Sequence, residues 1–404
     1  MNNAYIIDGT RSAIGNFGGT LAAVRTDDVM ASILKNLIQK HPEIPLQEID
    51  DVIIGCANQA GEDNRNIARM ALLLAGLPYS VPGETVNRLC ASGMSAIVHA
   101  CRAIKSGEGN LFISGGVEGM SRGPYVFSKS EKAFDTGQKI YDSSFGWRFI
   151  NPEMEKTYGT EAMGKTAENL ALQFKISREE QDEFAFRSQM KAKKAQESGR
   201  FSEEISDILI PQKNAEPKIF NQDEFLKPNS TLEILSKLKP AFVKENGSVT
   251  AGNSSGLNDG AAAVLVGSEY AVNKFGLKPL AKIIASSAVG VEPRIMGIGP
   301  VDATKLALKR AGLDLDDIGV IELNEAFAAQ SIACLKALEI SSEDPRINPN
   351  GGAIALGHPL GMSGTRIVYS AALELQKTGE KYALATMCIG VGQGYAVILE
   401  NPFL

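Results

Sequence analysis

Apolar residues are spaced in two ways along the chain. Short runs such as Val52-Ile53-Ile54, 111–114, 261–266, Val320-Ile321 and 382–386 are too brief for helices and almost wholly apolar. They predict strands buried on both faces. Elsewhere the apolar positions take helical spacing: Met94, Ile97, Val98, Cys101 and Ile104 follow Gly93, and Ile367, Val368 and Leu373 follow Gly361-Met362-Ser363. These two helices should close at Gly107 and Gly379, where a glycine tolerates the left-handed cap. Helices alternating with short buried strands predict a layered α/β architecture.

The pattern also repeats. Residues 47–54, an acidic helix end running into a buried strand, resemble residues 316–323. The helix opening at Gly93-Met94-Ser95, with its following strand and Gly115-Gly116, resembles the one at Gly361-Met362-Ser363, with its strand and Gly390. Both pairs keep the same order and nearly the same offset, which predicts a duplicated chain. One half is expected over 1–120 plus 251–270 and the other over 271–404. The stretch between them, 121–250, differs in texture and holds nearly half of the 41 Lys and Arg residues. A capping box, Ser177-Arg178-Glu179-Glu180, opens a charged helix over 177–198. This segment is expected to be an inserted loop domain, lying on the core with most of its charges solvated.

Composition narrows the class. The 404 residues are 44% apolar and 22% charged, as in ordinary globular proteins, which excludes disorder, collagen and coiled coil. The net charge of −6 argues against nucleic acid as a partner, because phosphate binding needs a basic face. Five widely spaced Cys with no CxxC pair, and only three His, form neither a disulfide framework nor a zinc site. Ala4-Tyr5-Ile6-Ile7 starts a strand with no basic leader before it, no apolar run approaches the roughly 20 residues of a membrane span, and Asn401-Pro402-Phe403-Leu404 is not a peroxisomal address. A cytoplasmic protein without a membrane partner is expected.

Two motif matches fail on context. Gly159-Thr160-Glu161-Ala162-Met163-Gly164-Lys165-Thr166 has the letters of a phosphate-binding loop. Such a loop follows a buried strand, whereas Pro152-Glu153-Met154-Glu155-Lys156 cannot be one, and Glu161 would meet the phosphates. Gly252-Asn253-Ser254-Ser255-Gly256 matches a nucleophile elbow, yet Asn258-Asp259-Gly260 leads into a strand where a helix is required. A Ser- and Gly-lined ligand loop fits better.

Three residues are better placed for chemistry. Cys90 lies between an extended segment and the helix after Gly93, where the positive end of a helix lowers a thiol pKa. His358 sits in a Gly/Pro-rich turn at the matching place in the second half, while His41 and His99 lie in a polar turn and mid-helix. Cys388 follows the last core strand into Gly390-Val391-Gly392-Gln393-Gly394. Position alone leaves the ordinary alternatives open: a small buried hydrophobe for each Cys, a hydrogen-bonded structural imidazole for the His.

Four blocks carry a resemblance. Asn87-Arg88-Leu89-Cys90-Ala91-Ser92-Gly93, Asn324-Glu325-Ala326-Phe327-Ala328, residues 351–364 and Cys388-Ile389-Gly390-Val391-Gly392-Gln393-Gly394 resemble, in order and spacing, the signature blocks of the thiolase family, across essentially the whole chain. The resemblance implies an α/β thiolase fold, with duplicated halves in a five-layer αβαβα stack and the inserted loop domain on the coenzyme A side. It implies an acyltransferase that cleaves a 3-oxoacyl-CoA reversibly through an acyl-Cys90 intermediate. Cys388 protonates the departing acetyl-CoA enolate, and His358 holds Cys90 as thiolate and helps activate the second CoA. Asn324 orients a water that joins His358 at the enolate oxygen, and the N–H groups of Cys90 and Gly390 form the other oxyanion hole. Gly at 390 is expected so that its N–H is presented with no side chain in the way.

The resemblance also implies that Met163, Ala251, Ser255, Ala326 and Phe327 line the pantetheine channel, with Lys227 near the nucleotide in place of a family Arg. CoA is a co-substrate, no metal or permanent cofactor is called for, and a homodimer or homotetramer is expected. Cys56-Ala57-Asn58-Gln59-Ala60-Gly61-Glu62-Asp63-Asn64-Arg65-Asn66 and Gly146-Trp147-Arg148-Phe149-Ile150-Asn151-Pro152 look most like the 3-oxoadipyl-CoA thiolases of aromatic catabolism. Ala162 stands where biosynthetic acetoacetyl-CoA thiolases carry His, although Met163-Gly164 itself is more like that group. Arg148 is the candidate cation for a distal substrate carboxylate, with a surface salt bridge as the plain alternative. Acetoacetyl-CoA and fatty-acid 3-ketoacyl-CoA thiolases remain alternatives. A ketosynthase or HMG-CoA synthase is disfavoured: ketosynthases use two His, and Cys388 is present here. A non-catalytic acyl-CoA- or lipid-binding protein of the same fold is disfavoured by the joint presence of Cys90, Asn324, His358 and Cys388.

Overall fold

The computed structural model describes residues 2–404. Its main sheet reads the same from either end. From one side run Asp51–Gly55, Leu111–Gly119, Asn258–Ser268 and Ala4–Arg11; from the other run Ile318–Leu323, Tyr382–Ile389, Gln393–Glu400 and Ala281–Gly290. In each set the first pairing is parallel and the next two are antiparallel. Among the described residues the sets pair at Tyr5–Lys282 and Ile6–Ala281. The expected duplication is therefore present in the strand order itself. Gly83–Val86 extends the first set beside Asp51–Gly55, and its counterpart in the second has shrunk to a single bridge between Ile321 and Ile347.

Leu111–Gly119 and Asn258–Ser268 are buried along their whole length, because helices cover both faces of the sheet. Thr26–Lys40 and Ile67–Leu74 pack outside the first half. Gly299–Ala311 and Ala328–Ala337 pack outside the second. Ser92–Ser106 and Leu360–Thr378 pack on one another between the halves, in an apolar layer that takes residues from both sheets. The result is five layers, αβαβα. A helix sandwiched this way is buried nearly all round, and Leu360–Thr378 has buried residues on every face. Both central helices end on a left-handed glycine, Gly107 and Gly379.

The close fit at the centre depends on glycine. A Cβ on Gly361 would strike the carbonyl oxygens of Val117 and Gly55, and one on Gly116 would strike that of Gly361. The second half's central helix thus begins against the first half's backbone.

Residues 121–250 add helices and two small two-stranded sheets but no strand to the main sheet. The helix Arg178–Glu197 has the expected capping box at Ser177. Most of the charges in this segment are exposed, as expected; the exceptions Glu168, Asp182, Arg200, Glu204 and Asp223 are buried, where they tie the segment to the core or to itself. Arg11 donates from Nε to Glu204 (2.9 Å) and from both Nη atoms to Asp223 (2.7 and 2.9 Å). Glu168 accepts the N–H groups of Ser248 and Val249, and Asp182 accepts Asn253 Nδ2. No helix among the described residues is long and apolar enough to cross a membrane.

Candidate active site

Cys90 lies in a one-turn 3-10 helix, Leu89–Ala91, between the strand Gly83–Val86 and the helix Ser92–Ser106. Cys388 is the last but one residue of the strand Tyr382–Ile389, and His358 lies two residues before the helix Leu360–Thr378. All three face one cavity of about 900 Å³. Met163, Lys227, Ala251, Ser255, Ala326 and Phe327 line the same cavity, so every residue expected along the coenzyme channel is brought to it. Loop-to-loop bonds shape this wall: Ser255 N–H donates to Ala326 O (3.0 Å) and Ala328 N–H to Asn253 O (2.9 Å). Lys227, on the exposed rim, holds its ammonium over the Phe225 ring.

A second lobe of about 460 Å³ opens on the other side of Cys90. Gly390, Arg148 and Trp147 line it. Arg148 donates from Nη1 to Ser143 O at 3.4 Å and has no carboxylate partner among the described residues, so the plain alternative of a surface salt bridge is absent. Trp147 Nε1 donates to Glu161 O (3.3 Å), and Asn58 Nδ2 donates to Ser143 O (3.2 Å), which holds the lobe's wall in place.

The imidazole tautomer of His358 follows from its partners. Ser363 Oγ donates its one proton to Pro359 O (2.8 Å), so at 2.6 Å from His358 Nδ1 it must accept. Nδ1 therefore carries the proton, and Nε2 keeps its lone pair. Asn324 Nδ2 approaches that lone pair at 3.4 Å. Asn324 Oδ1 is buried with no partner, an acceptor open to a water or a ligand. Burial pushes the imidazole pKa down to about 3, and the positive charge of Arg366 adds to this.

Two opposing effects act on the Cys90 thiol. The N–H groups of Gly390 and of Cys90 itself favour the thiolate, but burial outweighs them and pushes the thiol up to about 11. Burial raises Cys388 well above the usual range too. Burial thus favours a thiol at Cys90 and a neutral imidazole at His358. Nε2 is then free to take a proton when the sulfur attacks.

The two N–H groups are held by strained backbone. Leu89, just before Cys90, has φ +48°, and Val391, just after Gly390, has φ +64°, a costly setting for a β-branched residue. Gly390 itself is less constrained than expected. Its φ is ordinary, and a Cβ there would lie 3.3 Å from Leu89 Cδ1, crowding the lobe without a hard clash.

Residues 4–270 match the family model "Thiolase, N-terminal domain", and residues 277–401 match "Thiolase, C-terminal domain". The chain belongs to the thiolase family. A β-ketoadipyl-CoA thiolase of Acinetobacter baylyi is 57% identical over 401 residues, covering 99% of this chain and 100% of the relative. An Escherichia coli 3-oxoadipyl-CoA/3-oxo-5,6-dehydrosuberyl-CoA thiolase is 54% identical with the same coverage. Among solved structures, Bacillus anthracis acetyl-CoA acetyltransferase superimposes with a TM-score of 0.92 at 40% identity, covering 99% of each chain. Human mitochondrial 3-ketoacyl-CoA thiolase in complex with CoA gives 0.91 at 40% identity, covering 99% of this chain and 98% of that one. This thiolase is accordingly an acyltransferase.

Several groups around this thiolase site escaped sequence reasoning. Ser363 sets the His358 tautomer, and Asn258 Oδ1 accepts the His358 N–H (2.9 Å). Glu325 accepts Ser188 Oγ (2.6 Å) and Asn348 Nδ2 (2.7 Å), tying the loop beside Asn324 to the inserted segment. Glu118 is a buried carboxylate in the wall of the second lobe. Cys56, Asp63 and Glu118 bring possible metal-ligand atoms within 4.8 Å of one another. Three backbone N–H groups already occupy the Glu118 oxygens, so the cluster is not a cation cage.

Proposed function

We propose that this thiolase cleaves 3-oxoadipyl-CoA with CoA to give succinyl-CoA and acetyl-CoA. The observation that carries the proposal is the position of Cys90 between two lobes, a long one fit for a pantetheine arm and a shorter one holding the unpaired cation of Arg148. The substrate names of the 54–57% identical relatives agree with it.

In this reading Cys90 Sγ attacks the 3-oxo carbon while its proton passes to His358 Nε2. The oxyanion at C3 is met by the N–H groups of Cys90 and Gly390, which already favour negative charge at the sulfur. The tetrahedral adduct collapses, the C2–C3 bond breaks and its electron pair leaves as the acetyl-CoA enolate. Cys388 gives that carbon a proton, leaving succinyl-Cys90. Splitting the reaction at a covalent intermediate replaces one hard step by two easier ones. Asn324 Oδ1, buried and unpartnered, supports an ordered water that reaches the enolate oxygen beside His358. A second CoA then yields its thiol proton to Cys388, and its sulfur displaces succinyl from Cys90, which regains its proton from His358.

The exposed apolar side chains Tyr79, Tyr125, Phe127, Phe134 and Ile140 support a homodimer or homotetramer. Light scattering on the purified protein tests that, and the proposed compartment is the cytoplasm. The reaction is tested by kcat/KM for thiolysis of 3-oxoadipyl-CoA, acetoacetyl-CoA and a medium-chain 3-oxoacyl-CoA. The first should be preferred by at least about tenfold, one charged contact's worth. Preference for either of the others overturns the substrate assignment, and loss of none of the activity in Cys90→Ala overturns the mechanism.

A further inference from the structure

One buried carboxylate beside the site takes no part in these steps. Glu118 lies near the end of the strand Leu111–Gly119, 2% exposed, in the wall of the lobe that also holds Cys90, Leu360 and Gly390. Its hydrogen-bond partners are all backbone. Oε2 accepts the N–H of Ala57 (3.0 Å) and of Gly361 (2.8 Å), and Oε1 accepts the N–H of Asn58 (3.0 Å). Ala57 and Asn58 follow the strand Asp51–Gly55 in the half that carries Cys90. Gly361 is the second residue of the helix Leu360–Thr378 in the other half. The first amides of a helix have no partner within it, and a negative charge is favoured there. This helix starts two residues after His358 and carries Ser363, which fixes the imidazole.

We propose that Glu118 is a positioning residue, a clamp that ties the segment after Gly55 to the first turn of the Leu360–Thr378 helix and so sets His358 against Cys90. It acts through Cys90 and His358, so this inference rests on the function proposed above. The reach of the side chain is what matters: one carboxylate spans three N–H groups on two segments. Its charge is secondary and even unhelpful to the thiol. Cys56 and Asp63 lie behind it and Cys90 in front. Burial lifts the Glu118 carboxyl to about 7 against the pull of the three N–H groups, and its negative charge raises the Cys90 thiol further.

Two conservative variants of the full chain separate reach from charge. In Glu118→Gln the amide oxygen can still accept Ala57 and Gly361, while the amide nitrogen, itself a donor, faces the Asn58 N–H and that bond is lost. In Glu118→Asp the charge is kept, but the carboxylate is one methylene too short to hold both segments. A clamp therefore predicts that kcat for 3-oxoadipyl-CoA thiolysis stays within about threefold of wild type in Gln. It falls about 10- to 100-fold in Asp, the usual cost of a misplacement near 1 Å, with KM little changed in either. Thermal unfolding of both variants checks that the measured protein is folded. Asp as active as Gln, or more active, overturns the clamp, and so does a loss confined to KM. An inactive wild type instead overturns the functional reading, and this inference with it.

Discussion

Replacing Arg148 by Met removes the one cation of the second lobe at little cost to the fold. Its bond from Nη1 to Ser143 O is long, 3.4 Å, and it has no ion pair among the described residues. Substitutions away from such features stay within about 0.5 kcal/mol. The effect on a dicarboxylate-derived substrate should be far larger. A hydrogen bond to a charged group contributes about 1.5–3 kcal/mol, and each 1.36 kcal/mol is a factor of ten, so kcat/KM for 3-oxoadipyl-CoA should fall about 10- to 150-fold. Acetoacetyl-CoA places a methyl group where the longer substrate extends toward Arg148, and its kcat/KM should not change. The assay is thiolysis of both substrates by wild type, Arg148→Met and Arg148→Lys, followed as loss of the 3-oxoacyl-CoA. Lys keeps a point charge without the planar fork and should fall between the other two. An unchanged ratio between the substrates refutes the assignment. An equal loss on both would show that Arg148 holds the lobe's wall and does not read the substrate's far end.

Ser363→Ala leaves the His358 Nδ1 proton without its acceptor in a buried site, which costs about 1–3 kcal/mol. A steady-state assay should find kcat about 5- to 150-fold lower with KM near wild type. Arg11→Met strands the buried carboxylates of Asp223 and Glu204, and denaturant titration at pH 7 should show a loss of about 3–5 kcal/mol. His41 lies between Asp8 (Nε2, 3.2 Å) and Glu43 (Nδ1, 2.9 Å), and the bond to Asp8 raises its pKa above 6.5. A raised folded-state pKa gives stability that is complete below the unfolded value and fades as pH climbs through the folded one. The melting-temperature deficit of His41→Gln should therefore be largest near about pH 6 and shrink toward about pH 9; a deficit that grows with pH contradicts the ion pairing.

The core strands and both central helices were legible because each rests on a local pattern, an apolar run or a helical spacing ended by a glycine such as Gly107 or Gly379. Cys90, His358 and Cys388 were legible for a related reason: each sits where a strand or Gly-rich turn meets a loop or helix start, and the resemblance blocks are local too. Partnerships across the chain left no such trace. Nothing near Arg11 in sequence announces Glu204 or Asp223, so the inserted segment's buried charges looked like a solvated face. At Cys90 the helix end is visible in sequence, while the opposing effect of burial is not. One signal was available and passed over: a charged residue where the apolar pattern has no place for it. Glu118 interrupts the buried strand Leu111–Gly119, and Glu322 interrupts Ile318–Leu323. Such a residue must be satisfied by something distant or become neutral. Glu118 takes the first course, with three backbone N–H groups. Glu322 is pushed toward the second: burial lifts it to about 8 against the pull of Arg366, whose Nη1 lies 3.9 Å away, and Oε2 has no hydrogen-bond partner. The same break in periodicity therefore marks two different fates, and only the tertiary partners tell them apart.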